Sequence, residues 1–321
     1  MKYQIFGTQS GLPVSQLIMG GAMFGDRSGY GSSHSDATAM LSTYANAGGN
    51  FIDVADLYQQ GEAEEIVGKF ISQNRNDFVV CTKYTRSSMK EPTVANSGNH
   101  RKSMRQAVEG SLKRLGTDFI DIYMPHYDDG NTPLEEIARG LEDLISAGKV
   151  LYAGLANFPA WKAAVIAKEI RLTAIQYEYN LTQRASEQAL FPMAEHFGLG
   201  VMSYSPLAGG LLTGKYRKGS PGRLSASINR NENSDRTDII IDTLEEIALA
   251  SNSNLSQVAL AWVLSKNVFP IIGARTTDQL LSVLESVNLK LPENHLSKLD
   301  DVSKIALEYP YALLQSVQKR Y

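Results

Sequence analysis

The chain has 321 residues, of which 43% are hydrophobic and 20% charged, and its formal net charge is -3. This composition is typical of a soluble globular protein and excludes a largely disordered chain. The near-neutral charge offers no case for a nucleic-acid partner, and the single cysteine, Cys81, excludes an internal disulfide framework. No window reaches the roughly 18 uninterrupted apolar residues of a membrane span, and Met1–Phe6 lacks the apolar stretch of a signal peptide. We therefore expect a cytoplasmic protein without a membrane partner.

Short apolar runs rich in β-branched and aromatic residues alternate with longer segments of helical periodicity. The runs are continuously apolar, which is typical of strands buried on both faces. Glycines such as Gly116 and Gly198 follow several helical segments and favour a left-handed helix end. The predicted strands are Leu17–Gly20, Phe51–Val54, Phe78–Lys83, Phe119–Met124, Val150–Leu155, Ala174–Tyr177, Gly200–Tyr204 and Val268–Ile272. The predicted helices are Ala37–Ala47, Glu62–Ser72, Arg101–Leu115, Leu134–Ala147, Ala160–Ile170, Glu187–Phe197, Ile239–Ser251 and Gln279–Ser286.

Eight strand–helix units in one order imply a parallel sheet, because each crossover returns the chain to the same edge. Eight is also the number that closes into a (β/α)8 TIM barrel, and a doubly wound open sheet is the alternative. We predict the barrel, as a single domain that spans residues 1–321. Residues 1–16 are predicted to form a hairpin ahead of it. The segments 205–237 and 287–321 are candidates to cover its mouth, or are an insertion and a packed tail without a role; the tail contains a further predicted helix, Glu293–Ala306.

Four protonatable residues lie at successive strand ends. Asp53 ends the second predicted strand, Tyr58 lies in the loop after it, Lys83 ends the third strand, and His126 follows the fourth. In a barrel these ends meet at one rim, where active sites form. A nearby ammonium lowers the pKa of a tyrosine from about 10 toward the range of an efficient proton donor. With a carboxylate to hold the ammonium and an imidazole to orient a substrate carbonyl, this set suits protonation of a carbonyl oxygen while a nucleophile attacks its carbon.

The motifs along the chain carry a family resemblance. Gly49–Tyr58, with Gly61 and Glu64–Gly68 after it, resembles the signature of the aldo-keto reductases. Later segments resemble the family's fifth, sixth, seventh and eighth strand motifs in the same order, namely Gly154–Phe158, Gln176–Asn180, Ser203–Tyr216, and Pro270–Thr276 with Gln279–Leu280. The resemblance covers nearly the whole chain. It implies a barrel enzyme that uses NADPH without a separate Rossmann domain and acts on a small-molecule carbonyl substrate.

The resemblance also implies roles for individual residues. Tyr58 is the general acid, Lys83 and Asp53 tune it, and His126 positions the carbonyl. Asn157 and Gln176 would hydrogen-bond the nicotinamide carboxamide, Tyr204 would stack on the ring, the turn from Ser205 would line the pyrophosphate, and Arg275 would contact the 2′-phosphate, for which its planar fork is suited. The implied cofactor-binding residues are Gly21, Asp53, Asn157, Gln176, Tyr204, Ser205, Leu207, Gly209, Gly273, Arg275 and Gln279.

Three positions depart from the family pattern. Ala156 stands where the family often has a serine, which removes one polar contact. Ser282 and Val283 stand where many relatives have the glutamate and asparagine that hold the adenine. We therefore expect adenine binding to be weaker or to be arranged differently.

Two other classes of function remain open. An aldolase-type barrel would use Lys83 as a Schiff-base nucleophile, and a non-enzymatic regulatory subunit would keep only the cofactor site. The five histidines are scattered without ligand spacing, so no metal site is predicted, and the oligomeric state is left open. Cys81 is expected to be a packing residue. The aromatic residues near the predicted rim either shape the substrate pocket or pack loops; they are Phe24, Tyr30, Tyr84 and Tyr127.

Overall fold

The computed structural model describes residues 1–218 and 234–318. Within these ranges, eight parallel strands close into a barrel in which each strand pairs with the next along the chain and the last pairs with the first. The closure sets Ile271 opposite Ile18. An antiparallel hairpin, in which Tyr3 faces Ser15, precedes the barrel. The predicted (β/α)8 barrel with an N-terminal hairpin is therefore confirmed, and the open-sheet alternative is wrong.

The hairpin strands are β1 (Tyr3–Ile5) and β2 (Pro13–Ser15), and the barrel strands are β3 (Ile18–Gly20), β4 (Phe51–Asp53), β5 (Val79–Tyr84), β6 (Ile120–Pro125), β7 (Val150–Ala156), β8 (Leu172–Glu178), β9 (Gly200–Tyr204) and β10 (Phe269–Ile272). The helices are α1 (His34–Asn46), α2 (Glu62–Ile71), α3 (Arg101–Leu115), α4 (Leu134–Ser146), α5 (Ala160–Glu169), α6 (Ser186–Phe197), α7 (Ser234–Ala250), α8 (Leu255–Ser265), α9 (Thr277–Leu284), α10 (Glu293–Val302) and α11 (Tyr311–Gln318). Each predicted barrel strand overlaps its observed counterpart, with differences confined to the ends.

Side chains of the barrel strands point alternately into the barrel and toward the helices, which explains why the strand runs are apolar throughout. In β5, Cys81 packs in the barrel interior while Val80 packs toward the helices. The hairpin places Phe6 at the N-terminal strand ends, where its ring centroid is 5.4 Å from that of Phe51 and 5.1 Å from that of Phe269. Phe6 therefore closes the floor of the barrel, opposite the C-terminal rim.

Helix α8 is absent from the sequence prediction. Residues Val258–Val263 are buried on all sides of this helix, so no amphipathic period marks it. Its start nevertheless carries a readable signal. The Asn254 side chain accepts from the Gln257 backbone N–H at 3.0 Å, and the Gln257 side chain accepts from the Asn254 N–H at 3.1 Å. This reciprocal capping box could have revealed the helix.

The segment after β9 differs from the predicted loop 205–237. Short 3₁₀ turns span Ala208–Thr213 and Lys215–Lys218, and α7 begins at Ser234 rather than at Ile239. The central part of the predicted cover, residues 219–233, lies outside the described residues. In the tail, α10 packs against α7 and buries Leu299, so this part is a packed outer helix. Across the described ranges, every helix is too short or too polar to traverse a lipid bilayer.

Candidate active site

Asp53 and Lys83 meet inside the barrel at the C-terminal ends of neighbouring strands. Lys83 points inward like Cys81, because side chains two positions apart in a strand share a face. The Lys83 ammonium donates to Asp53 Oδ1 at 2.7 Å and to the Val54 carbonyl at 2.8 Å. Gln176 of β8 donates from Nε2 to the same carboxylate oxygen at 2.9 Å. The register of three strands therefore fixes one buried, fully engaged ion pair.

The charge of Lys83 is stable in this position. Burial alone would lower the pKa of the ammonium because desolvation disfavours the charged form, but the Asp53 carboxylate and the nearby Tyr58 phenol raise it above its ordinary value. The Lys83 side chain is 0% exposed, so salt screens the ion pair much less than a surface pair. Lys83 is a fixed positive charge within the barrel.

Tyr58 lies in the turn between β4 and α2, where it begins a short 3₁₀ segment. The following residue, Gln59, adopts a left-handed conformation with φ of 50°, which side chains rarely adopt and which tightens the turn. The Lys83 Nζ lies 5.4 Å from the centroid of the Tyr58 ring, and the His126 ring packs edge-on against Tyr58 at a centroid distance of 5.7 Å. The four residues predicted as catalytic, Asp53 included, therefore lie in one cluster.

His126 is held by its backbone at the end of β6. Its N–H donates to the Tyr84 carbonyl at 2.7 Å, and its carbonyl accepts from Asn157 Nδ2 at 2.9 Å. Burial, followed by the positive charge of Lys83, lowers the pKa of His126 to about 3. Within the described part of the chain, its buried Nδ1 has no hydrogen-bond partner. The imidazole is therefore neutral at physiological pH and keeps hydrogen-bonding capacity for another molecule.

Three further predicted residues line the rim next to this cluster. Asn157 follows β7 in a left-handed conformation with φ of 55°, Gln176 lies in β8, and Tyr204 ends β9. The Tyr204 hydroxyl donates to Asn157 Oδ1 at 3.0 Å. Because Gln176 contacts Asp53 and Asn157 contacts the His126 carbonyl, these polar groups are continuous with the cluster.

The turn after β9 contains Ser205, Leu207 and Gly209. Ser205 and Gly209 are left-handed, with φ of 51° and 65°, while Leu207 between them has φ of -105°. Asn180 holds the turn by donating from Nδ2 to the Ser205 carbonyl at 2.9 Å. Ala208 and Gly210 are left-handed as well, with φ of 50° and 92°, and their N–H groups donate to the Ser205 and Leu207 carbonyls at 2.8 and 2.9 Å. The turn is therefore tight and closed by its own backbone hydrogen bonds.

The remaining predicted cofactor residues differ in their surroundings. Arg275 and Gln279 are exposed at the start of α9, where Gln279 Oε1 accepts from the Arg275 N–H at 3.0 Å. A Cβ added to Gly273 would meet nothing within 4 Å, so this position borders open space. A Cβ added to Gly21 would lie 2.6 Å from Val54 Cγ1. Packing between β3 and β4 is therefore enough to explain the glycine at position 21.

The two departures near α9 have structural explanations. Ser282 Oγ accepts from Asn254 Nδ2 at 2.9 Å, and the Ser282 carbonyl accepts from Gln257 Nε2 at 2.9 Å. Val283 is buried in the main hydrophobic core. Both positions therefore serve the packing of α9 against its neighbours.

The aromatic residues near the rim fall into two groups. Phe24 and Tyr84 are fully buried, and Tyr84 stacks on another buried tyrosine at 5.2 Å, so these two pack the core and do not shape a pocket. Tyr127 is half-buried and Tyr30 is 46% exposed. Only Tyr30 and Tyr127 of the four remain available to a ligand.

A second buried ionic group lies on the other side of the barrel wall, and the sequence did not reveal it. Glu64 of α2 is 0% exposed; it accepts from Arg114 Nε at 2.6 Å and from the Thr82 hydroxyl at 2.6 Å. Asp56 is buried beside them, and burial, followed by the charge of Glu64, raises its pKa to about 7. We call these four residues the outer cluster. Glu64 and Arg114 lie far apart in the sequence, so no local pattern predicts their ion pair. Asp56, by contrast, closely follows Asp53, and this second aspartate could have indicated another buried carboxylate.

The donor set along the rim fits a nicotinamide dinucleotide. Amide side chains and a tyrosine ring adjoin the cluster of Asp53, Tyr58, Lys83 and His126, a turn with several left-handed residues follows them, and an arginine lies beyond. In the described residues, no group of three or more His, Cys, Asp or Glu side chains is arranged to hold a metal ion.

Comparison with known proteins agrees with this geometry. A model of the aldo/keto reductase family matches residues 16–304. The chain is 33% identical to norsolorinic acid reductase of Aspergillus flavus, over 97% of this chain and 84% of that protein. It is 32% identical to an NADP(+)-dependent aryl-alcohol dehydrogenase of Phanerodontia chrysosporium, over 94% and 86% of the two chains, and 33% identical to the uncharacterized oxidoreductase YrpG of Bacillus subtilis, over 94% and 96%. The chain therefore belongs to the aldo/keto reductase family and is a nicotinamide-dependent oxidoreductase.

Proposed function

We propose that the protein uses NADPH to reduce an aldehyde or ketone to an alcohol, and that Tyr58 is the proton donor. The observation that carries this proposal is the Lys83 ammonium, which is buried, paired with Asp53 and 5.4 Å from the Tyr58 ring centroid. A fixed positive charge beside a phenol favours the phenolate that remains after the proton has left. The protein itself would therefore supply both the proton donor, Tyr58, and the positive charge that stabilises its phenolate, Lys83.

Reduction of a carbonyl requires a hydride at carbon and a proton at oxygen. NADPH, when bound, would supply the hydride. Tyr58 would transfer its hydroxyl proton to the carbonyl oxygen, and Lys83 would stabilise the phenolate until solvent returns a proton. Asp53 would keep Lys83 charged and in place. The proton and the hydride together account for the two hydrogens of the alcohol.

His126 would orient the carbonyl group. Because burial holds its pKa at about 3, the imidazole is neutral and carries a hydrogen on one ring nitrogen. A neutral imidazole donates a hydrogen bond to a carbonyl oxygen without giving up the proton. Proton transfer would therefore be left to Tyr58, whose ring lies 5.7 Å away.

The cofactor would lie along the rim from β7 to β10. Gln176 already uses its amide nitrogen to bind Asp53, so its oxygen would accept from the nicotinamide carboxamide. Asn157 would share that role, and the Tyr204 ring would stack on the nicotinamide. The left-handed turn from Ser205 would bind the pyrophosphate. Arg275 would bind the 2′-phosphate through charge-assisted hydrogen bonds, which is our reason for NADPH in preference to NADH.

The aldolase alternative receives no support from the state of Lys83. A lysine that forms a Schiff base must attack its substrate as a neutral amine. The pKa of Lys83 is raised, and Asp53 and the Val54 carbonyl occupy its ammonium. A reductase role suits this residue better than a nucleophilic one.

The test is NADPH oxidation, followed by absorbance, with a panel of carbonyl compounds. The names of the fungal relatives make aromatic aldehydes and ketones the first compounds to try. We expect Tyr58→Phe to bind NADPH nearly as the wild type does and to lose about 10²- to 10⁴-fold in turnover. Near-full turnover of this variant would show that another group donates the proton.

A further inference from the structure

The loop after β3 and the loop after β10 are neighbours because their strands pair in the barrel. Ile272 lies opposite Met19 in this pair. The first loop carries Tyr30 and the second carries Arg275. The Arg275 guanidinium lies 5.5 Å from the centroid of the Tyr30 ring, within the range of a cation–π contact. An exposed aromatic ring therefore lies against the cation that we assign to the 2′-phosphate.

The backbone around Tyr30 is held by buried side chains. Gln59 donates from Nε2 to the Tyr30 carbonyl at 2.7 Å, and its Oε1 accepts from the Ser28 N–H at 2.9 Å. Glu62 Oε2 accepts from the N–H groups of Asp26 and Arg27 at 3.0 and 2.8 Å. These four hydrogen bonds fix the loop to the segment that follows Tyr58. The Tyr30 ring therefore extends from an anchored backbone.

Arg275 is one of the arginines that have no carboxylate partner in the described part of the chain. Within residues 1–218 and 234–318, no carboxylate forms an ion pair with its guanidinium, whereas six other arginines do pair with carboxylates, namely Arg27, Arg75, Arg101, Arg114, Arg184 and Arg217. Stacking on a ring uses the face of a guanidinium and leaves the N–H donors at its edge free. The contact with Tyr30 thus restrains Arg275 and keeps its hydrogen-bonding groups available.

We propose that Tyr30 is a positioning residue for Arg275 and that it strengthens the preference for a dinucleotide with a 2′-phosphate. This inference rests on the proposed function, because it takes Arg275 as the residue that binds that phosphate. The ring limits the conformations of a long, exposed side chain before the cofactor arrives, so less conformational entropy is lost on binding. The effect is confined to the phosphate that Arg275 contacts, and the nicotinamide end of the site is unaffected.

The experiment measures dissociation constants of NADPH, NADH and adenosine 2′,5′-bisphosphate by titration calorimetry. For Tyr30→Ala we expect the dissociation constants of NADPH and of the bisphosphate to rise about two- to fivefold, from the strength of an exposed cation–π contact. The dissociation constant of NADH and the turnover at saturating NADPH should not change. Tyr30→Phe keeps the ring and should bind all three ligands as the wild type does.

A double-mutant cycle with Arg275→Ala separates positioning from a direct contact. If Tyr30 acts through Arg275, then Tyr30→Ala has no further effect on NADPH binding once Arg275→Ala is present. Equal weakening of NADPH and NADH, an unchanged affinity for the bisphosphate, or additive effects in the cycle would overturn the inference while leaving the proposed reduction intact. A wild-type protein that binds NADPH no more tightly than NADH would overturn the role of Arg275 and this inference together. The proposed reduction itself is judged separately, by the Tyr58→Phe measurement.

Discussion

The barrel wall at β4 and β5 carries buried charged side chains on both of its sides, and the two sides differ in the groups that surround these charges. On the inner side, Asp53 and Lys83 pair at the rim beside Tyr58. On the outer side, Glu64 and Arg114 of the outer cluster pair between the wall and the helices. Both pairs are desolvated, so burial alone does not mark a catalytic group. What distinguishes the inner pair is that it adjoins a phenol and a neutral imidazole at the strand ends.

Removing the inner carboxylate should have the largest effect on turnover. Asp53→Asn removes the carboxylate that offsets the desolvation of Lys83, so the pKa of the buried amine falls and its neutral form is favoured. In the proposed mechanism the Tyr58 phenolate then loses the positive charge that stabilises it, and we expect turnover to fall about 10²- to 10⁴-fold. Asp56→Asn is the matched control, since this aspartate is also buried but belongs to the outer cluster. Its turnover should remain within about threefold of the wild type. If circular dichroism shows that both variants are folded and they lose turnover equally, the inner and outer carboxylates do not differ in their effect on the reaction.

Breaking the outer pair should cost stability and spare the chemistry. Glu64→Gln leaves the Arg114 guanidinium without its carboxylate, and we expect the free energy of unfolding in urea to fall by about 3 kcal/mol. The neighbouring Glu65 pairs with Arg27 at the surface, so Glu65→Gln should cost less than about 1 kcal/mol. Turnover per folded molecule should be unchanged in both variants. A large loss of turnover in folded Glu64→Gln would instead link the outer cluster to the reaction.

The smallest expected effect is on how stability depends on pH. The pKa of Asp56 is raised from its ordinary 3.8 to about 7, so between these values the folded state binds a proton more readily than the unfolded state. Asp56 therefore makes the folded state less stable as pH rises from about 4 to 7. Asp56→Asn cannot ionise, so its urea midpoint should decline less over this range than that of the wild type. Identical slopes for the two proteins would mean that Asp56 ionises as easily in the fold as in the unfolded chain.

The fold and the inner cluster could be predicted because their signals are local. Continuous apolar runs, helical periods and the polar residues at strand ends all lie within short stretches of sequence, and they indicated the barrel and the rim together. Helix α8 cannot be recognised by its periodicity, because it is apolar on every side. The predicted start of α7, Ile239, lies later in the chain than its observed start at Ser234. The contacts of Glu64 with Arg114 and of Tyr30 with Arg275 join residues far apart in the chain. No local pattern encodes such pairs, because they arise only when the barrel brings its loops and helices together.

The contacts of Phe6 at the floor of the barrel form at different times during synthesis of the chain. Its ring meets Phe51, which is synthesised soon after it, and Phe269, which is synthesised near the end of the chain. During translation Phe6 can therefore meet Phe269 only after most of the chain has been synthesised. Contacts between such distant residues slow folding, since a long segment must be ordered before they form. We infer that the floor of the barrel stays open in the nascent chain until Phe269 has been synthesised.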